Sequence, residues 1–269
     1  MLIIGERINA SNKSVGNAIT NRDSAFITSL AKAEAEAGAD YIDVNIGTGK
    51  YEYQQEVDAM KWLVATVQAA TDKPLAIDSE HPEVIEAGLE EYNGENLIIN
   101  SVTAEPDKLA TIGPLAAKYG SWLVALAMGS DGVPSSVDKR LDACDTIVTS
   151  LSRIGVKTER ILFDPLVIPI SVDSEQGMVT LKTIEGIKAR YPEARTVVGL
   201  SNISFGLPNR SLVNRSFLLM AACAGLDAAI LDPLDTRIMS IAKVADMLSG
   251  KDNLCRTYIR AHRSGRIAD

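Results

Sequence analysis

The chain's 269 residues, 46% of them apolar, suffice for one large core, so a single domain spanning 1–269 is expected, with no second domain, low-complexity segment or short repeat in view. A formal charge of -8 and a pI near 5.0 argue against a nucleic-acid partner, which needs a basic face. Cys144, Cys223 and Cys255 are too scattered for a disulfide framework, the start lacks a signal-peptide pattern, and no uncharged apolar run reaches the roughly 18 residues of a membrane span; a cytoplasmic protein without membrane attachment is expected.

The first apolar run, Leu2-Ile3-Ile4-Gly5, reads as a strand that ends in the polar group Glu6, Arg7 and Asn9. Asp23 or Ser24 caps a helix with Phe26, Ile27, Leu30 and Ala31 at helical spacing, and Gly38 stops it. Tyr41 to Ile46 is a second strand with Asp43 and Asn45 on one face, because strand side chains alternate. A helix over 54–71, a strand over 74–79 ending in Asp78, and a short helix from Pro82 to about Asn93 follow. The fourth strand, 97–101, ends in Asn100; the next helix, 106–118, is expected to kink or split at Gly113-Pro114.

Strand five, 122–128, ends in Met128 and runs into a glycine-rich loop, Gly129 to Pro134, expected to be able to move; a helix then starts at Ser135 or Ser136 and runs to Ile154. Strand six, 161–167, carries Asp164 before a proline, and a helix covers 179–190. The run Thr196 to Leu200 is strand seven, and it delivers Ser201, Asn202, Ser204 and Asn209 directly after its end, in a loop that also holds Arg210 and Arg215. Such residues cap turns and helices routinely, so alone they do not define a site. A helix over 217–224, strand eight over 228–232 ending in Asp232, a helix capped by Asp235 running to Leu248, and a charged tail with room for one more short helix complete the chain.

Eight strand-then-helix units with crossovers long enough for parallel pairing predict an α/β fold, a single (β/α)8 TIM barrel. A doubly wound open sheet is the rival, but the first turn, Gly5 to Asn9, has no GxGxxG. The barrel gathers Asn9, Asp43, Asn45, Asp78, Asn100, Met128, Asp164, Asn202 and Asp232 on one rim, where barrel enzymes place their sites. Carboxylates there could hold Mg²⁺, whereas interleaved Asp and Asn suit a neutral heterocycle with alternating donors and acceptors. With two histidines, His81 and His262, neither near a second ligand, no zinc site and no tightly bound metal are expected. The absence of GxSxG and of a Cys paired with His leaves covalent catalysis unsupported. A sugar-phosphate enzyme lacks an obvious lysine at a strand end.

Ten strings spread along the chain resemble the methyltetrahydrofolate–corrinoid protein methyltransferases, pterin-binding TIM barrels: LIIGERIN at 2–9, DVN at 43–45, KWLV at 61–64, DS at 78–79, EAGL at 86–89, INS at 99–101, DPL at 164–166, GLSNIS at 199–204, NR at 209–210 and 214–215, and GLDAAI at 225–230. The resemblance implies that Asp78, Asn100 and Asp164 hold the pterin, that Gly199, Ser201 and Arg210 lie beside it, and that Asn202 is the catalytic residue at the N5 that carries the methyl group. Glu6, Asn9, Asp43, Asn45, Met128, Phe205 and Asp232 are further rim candidates. It also implies methyl transfer between 5-methyltetrahydrofolate or tetrahydrofolate and the cobalt of a corrinoid (cobalamin), in either direction, and a homodimer.

Corrinoid modules carry Asp-x-His-x-x-Gly, and neither histidine sits in one, so the corrinoid is expected on a separate protein docking over the rim. Two departures stand out. Phe205 replaces a Gln found in corrinoid iron–sulfur protein methyltransferases, and Gly129-Ser130-Asp131 differs from their loop; both point to a branch serving another corrinoid partner, plausibly methylating tetrahydrofolate. The alternatives are a pteroate synthase-type enzyme, which would draw on Arg7, Arg210 or Arg215 for a diphosphate leaving group, and a catalytically silent pterin- or corrinoid-protein-binding module.

Overall fold

The eight apolar runs close on one another. In a computed structural model describing residues 1–47 and 53–268, β1 (Leu2–Asn9), β2 (Tyr41–Asn45), β3 (Leu75–Asp78), β4 (Ile98–Val102), β5 (Trp122–Leu126), β6 (Ile161–Asp164), β7 (Arg195–Gly199) and β8 (Ala228–Leu231) pair in parallel, each with the next and β8 with β1. Around them stand α1 (Lys13–Thr20), α2 (Ser24–Ala37), α3 (Tyr53–Gln68), α4 (Pro82–Glu91), α5 (Pro106–Tyr119), α6 (Val137–Ser152), α7 (Gln176–Arg190), α8 (Arg210–Cys223), α9 (Thr236–Leu248) and α10 (Arg256–Arg263). This is the (β/α)8 TIM barrel that the repeat of strand and helix predicts. Among the described residues no helix is long and apolar enough to cross a membrane.

Alternation along the strands sets the interior. Ile4, Tyr41, Ala76, Ile98, Val124, Leu162, Val197 and Ala228, one from each strand, form an apolar plug. Two residues further on, the inward positions become Glu6, Asp43, Asp78, Asn100, Leu126, Asp164, Gly199 and Ile230. The plug excludes water below; the acids and amides above it face the rim.

Three local expectations change. The strand expected to end at Gly5 continues to Asn9, with a bulge that sets Glu6 and Arg7 between the register pairs Gly5↔Ile42 and Ile8↔Val44. α5 is not split but runs as one helix with Pro114 inside it: its stripe Leu109, Ile112, Leu115 and Ala116 docks on the core, and that packing outweighs the N–H that proline removes. Helix α8 begins at Arg210, seven residues before the expected start, behind Asn209 in the left-handed region at φ 48°. Arg210 and Arg215 therefore ride on a helix, not in a loop. Helix α1 was not expected, and the short helix for which the charged tail has room is α10.

Candidate active site

A cavity of about 560 Å³ opens at the C-terminal ends of β1, β2, β3, β7 and β8. That size suits a small heterocyclic ligand. Ten of the residues singled out in the sequence line it: Glu6, Arg7, Asn9, Asp43, Asp78, Gly199, Ser201, Asn202, Arg210 and Asp232. Asn45 joins them through its amide, which donates to Asp78 Oδ2 at 2.6 Å. Asn100 is buried and donates to Asp43 Oδ1 at 3.3 Å. Asp164, Met128 and Phe205 do not line this cavity; Asp164 Oδ1 accepts from the Leu166 backbone N–H at 2.8 Å, and Phe205 is 65% exposed.

The β1 bulge explains how this wall is built. An inserted residue frees a backbone N–H from the ladder, and the Arg7 N–H finds its acceptor in Glu34 Oε1 at 3.0 Å, reached from the buried face of α2. Glu34 approaches so closely that a Cβ at Gly5 would collide with its carboxyl, so a side chain there would push Glu34 out of its place. Nothing in the sequence reading pointed to Glu34. Its signal was available: it continues the stripe Ile27, Ala31, Glu34 at helical spacing, a carboxylate on an otherwise apolar face.

Burial dominates the electrostatics. It pushes the Glu6 carboxyl up to about 7, with Asp232 adding to the rise and Arg210 and Arg7 opposing it, and Glu34 up to about 8. Asp43 is raised well above the usual carboxylate range by burial and by the nearby Asp78, while the Asn100 amide works the other way. Asp78 and Asp164 are each raised by burial to about 6; the hydrogen bond from Asn45 restrains the first, and the Leu166 N–H and Arg140 restrain the second. At neutral pH the rim thus mixes carboxylates with groups able to keep a proton.

Both arginines at the mouth are committed to protein partners. Arg7 Nη1 pairs with Asp232 at 3.1 Å, while Arg210 donates to the Ser201 carbonyl at 2.7 Å and to Ser204 Oγ at 3.0 Å and lies over the Phe205 ring. Asn202 differs. Its side-chain amide makes no hydrogen bond among the described residues, and it leans over Gly199, where a Cβ would stand 3.1 Å from its Nδ2. Among the described residues no group of three or more His, Cys, Asp or Glu side chains is disposed to hold a metal ion.

A parallel barrel with a polar cavity at its strand ends is the architecture of a barrel enzyme. More narrowly, the chain belongs to the pterin binding enzyme family, whose model matches residues 5–232. It is 38% identical over 269 residues, covering 99% of this chain and 98% of the relative, to the methylcorrinoid:tetrahydrofolate methyltransferase of Eubacterium limosum. It is also 32% identical to methionine synthase of Mycobacterium tuberculosis (strain ATCC 25618 / H37Rv), a match spanning 86% of this chain and 20% of that protein. Among solved structures it is similar to a dihydropteroate synthase from Xanthomonas albilineans in complex with 7,8-dihydropteroate, with a TM-score of 0.67, 17% identity, and coverage of 92% of this chain and 91% of that one. At that identity the likeness is one of fold.

Proposed function

We propose that the enzyme is a methyltransferase that moves a methyl group between N5 of tetrahydrofolate and the cobalt of a corrinoid carried by a separate protein, with residues 1–269 acting as one pterin-binding domain. The near full-length similarity to a methylcorrinoid:tetrahydrofolate methyltransferase supports the reaction class. The observation that carries the reading is the free Asn202 amide over Gly199, opposite a wall of buried carboxylates.

Asp78 lines the cavity, while Asn100 and Asp164 stand at the inward positions of β4 and β6 beyond its lining; a pterin reaching across all three would give them its exocyclic amine and ring N–H groups, and Asn100 also donates. Once the ring is bound, a donor left without an acceptor costs about 1–3 kcal/mol. When the N5–methyl bond breaks, its electron pair stays on N5, which must gain a proton or a strong hydrogen bond. Asn202 donates that bond as charge grows, and Glu6, raised to about 7, holds a proton on the same cavity at neutral pH. The corrinoid supplies the cobalt nucleophile in one direction and the methyl donor in the other. A single transition state serves both directions. We take tetrahydrofolate as the physiological acceptor, in keeping with the name of the Eubacterium limosum relative.

The pteroate synthase reading needs a cation for a diphosphate; Arg7 is paired with Asp232, so it would fall to Arg210, which is held by the Ser201 carbonyl and Ser204 Oγ and has no carboxylate partner among the described residues. The corrinoid protein docks over the open mouth. A homodimer would use α8, whose exposed residues beyond Arg210, namely Leu212, Ser216, Met220 and Cys223, carry no charge. The three free cysteines suit a reducing cytoplasm. Mixing the enzyme with 5-methyltetrahydrofolate and cob(I)alamin, and separately with tetrahydrofolate and methylcobalamin, should change the cobalt spectrum in both directions; silence in both overturns the proposal.

A further inference from the structure

Arg140 is the largest side chain to be fully buried among the described residues, and it belongs to α6, outside the barrel wall. It sits in the helix's apolar stripe with Leu141, Cys144, Ile147 and Leu151. A guanidinium there is costly unless its donors are met. They are met, and not by a carboxylate: among the described residues Arg140 forms no ion pair within 4.0 Å. Nε donates to the Pro134 carbonyl at 2.9 Å, Nη1 to the Pro165 and Leu166 carbonyls at 2.8 Å each, and Nη2 to Gln176 Oε1 at 2.7 Å.

These acceptors belong to two separate rim loops. Pro134 closes the loop after β5; Pro165 and Leu166 directly follow Asp164 at the end of β6. Gln176, the first residue of α7, ties the loops again by donating to the Ser135 carbonyl at 3.3 Å. Leu166 stands in the left-handed region at φ 69°, a conformation a leucine keeps only when its surroundings enforce it. The enforcement is visible. Its carbonyl is held by Arg140 and by Thr180 Oγ1 at 2.9 Å, and its N–H is thereby aimed at Asp164 Oδ1, 2.8 Å away. Asp164 Oδ2 makes no hydrogen bond among the described residues.

We infer that Arg140 is a positioning residue for pterin capture: by holding the Pro165-Leu166 backbone from behind the barrel wall, it fixes the Asp164 carboxylate with one oxygen committed to the protein and the other left for the ligand. The inference rests on the folate reading of the same site. It also has an electrostatic side. Arg140 opposes the upward push of burial on Asp164, whose carboxyl lies at about 6. The inward neighbours on the flanking strands, Leu126 in register on β5 and Gly199 at the end of β7, carry no charge, and Asp173 on the following loop is bound to Gln176. Arg140 is thus the charge Asp164 faces.

The test is tetrahydrofolate affinity by calorimetry across pH 5 to 8, with kcat using free cobalamin and the melting temperature measured in parallel. Arg140→Lys keeps the charge and loses the fork; it should weaken tetrahydrofolate on the order of tenfold, about the worth of one hydrogen bond to the ligand, with kcat at saturating folate little changed. Arg140→Met should add a second effect, moving the pH below which affinity fades upward from the wild-type value. Should that variant not fold, Arg140→Lys and Thr180→Val carry the test, the latter with a smaller loss in the same direction. Wild-type affinity in both, with only the melting temperature lowered, reduces Arg140 to a structural brace and overturns the inference. Failure of the wild-type enzyme itself to bind tetrahydrofolate overturns the folate reading first, and the positioning role with it.

Discussion

The two sides of the rim are built on opposite principles. From β2 to β6 the polar side chains are already engaged: Asn45 with Asp78, Asn100 with Asp43, and Asp164 with Leu166, itself braced from behind by Arg140. From β7 round to β1 the strand ends present Gly199, with no side chain, Asn202, with an unengaged amide, and Glu6, raised to about 7. Engaged groups have their rotamers set before a ligand arrives, so they recognise shape at low entropic cost. Unengaged ones can form a bond that strengthens only during the reaction. On the proposed function, the contrast would place recognition on one side and chemistry on the other.

The largest effect that would break this contrast belongs to the chemical side. Asn202→Ala should lower kcat on the order of 10²–10³-fold, the usual loss on removing a donor that serves the transition state, while tetrahydrofolate affinity moves only a few-fold. Rapid-mixing kinetics for the methyl transfer and calorimetry for binding read the two quantities separately. Equal losses in both would mean that Asn202 is a recognition group.

On the recognition side the expected split is reversed. Asp78→Asn should weaken tetrahydrofolate roughly tenfold to a hundredfold, since an N–H of the bound ring loses its acceptor at about 1–3 kcal/mol, with kcat at saturation much less affected. The pH dependence follows from the same group. On that reading Asp78 and Asp164, each raised by burial to about 6, accept the ligand's N–H groups as carboxylates, so wild-type affinity should hold above that pH and fade below it, and the asparagine variant should show the shallower fade of Asp164 alone. Titrating binding between pH 5 and 8 checks both.

Period-two alternation made most of the recognition side legible. Once Tyr41 to Asn45 is a strand, Asp43 and Asn45 must share the face of Tyr41, and the parity that sends Ala76 or Leu162 into the plug sends Asp78 or Asp164 toward the rim. What stayed hidden depends on contacts between elements distant in sequence. Arg140 and Glu34 sit on helix stripes where a charge reads as an interruption, and only the folded chain shows each one meeting backbone groups freed by a distorted strand end or loop. The early start of α8 was masked because Asn209 and Arg210 look like loop residues until Arg210 is seen bound to Ser201 and Ser204. The bulge that turns Asn9 inward leaves no local mark at all.

The smallest effect separates charge from hydrogen bonding at the support of the chemical side. Glu34 is pushed by burial up to about 8 from an ordinary value of 4.5, so the folded protein binds a proton that the unfolded chain releases between those values. Its contribution to stability is therefore fully present below about 4.5 and is lost as pH rises through about 8. Glu34→Gln keeps an oxygen for the Arg7 N–H and removes the titration, so its melting temperature should match wild type near pH 5 and exceed it by about a few degrees near pH 9. Glu34→Ala also removes the titration but leaves that N–H without its acceptor, so it should lie about 1–3 kcal/mol below the glutamine variant at every pH, loosening the bulge that aims Glu6. If the glutamine variant instead lost stability like alanine, the negative charge itself would be holding β1, and the proton near Glu6 would have to be placed on another group.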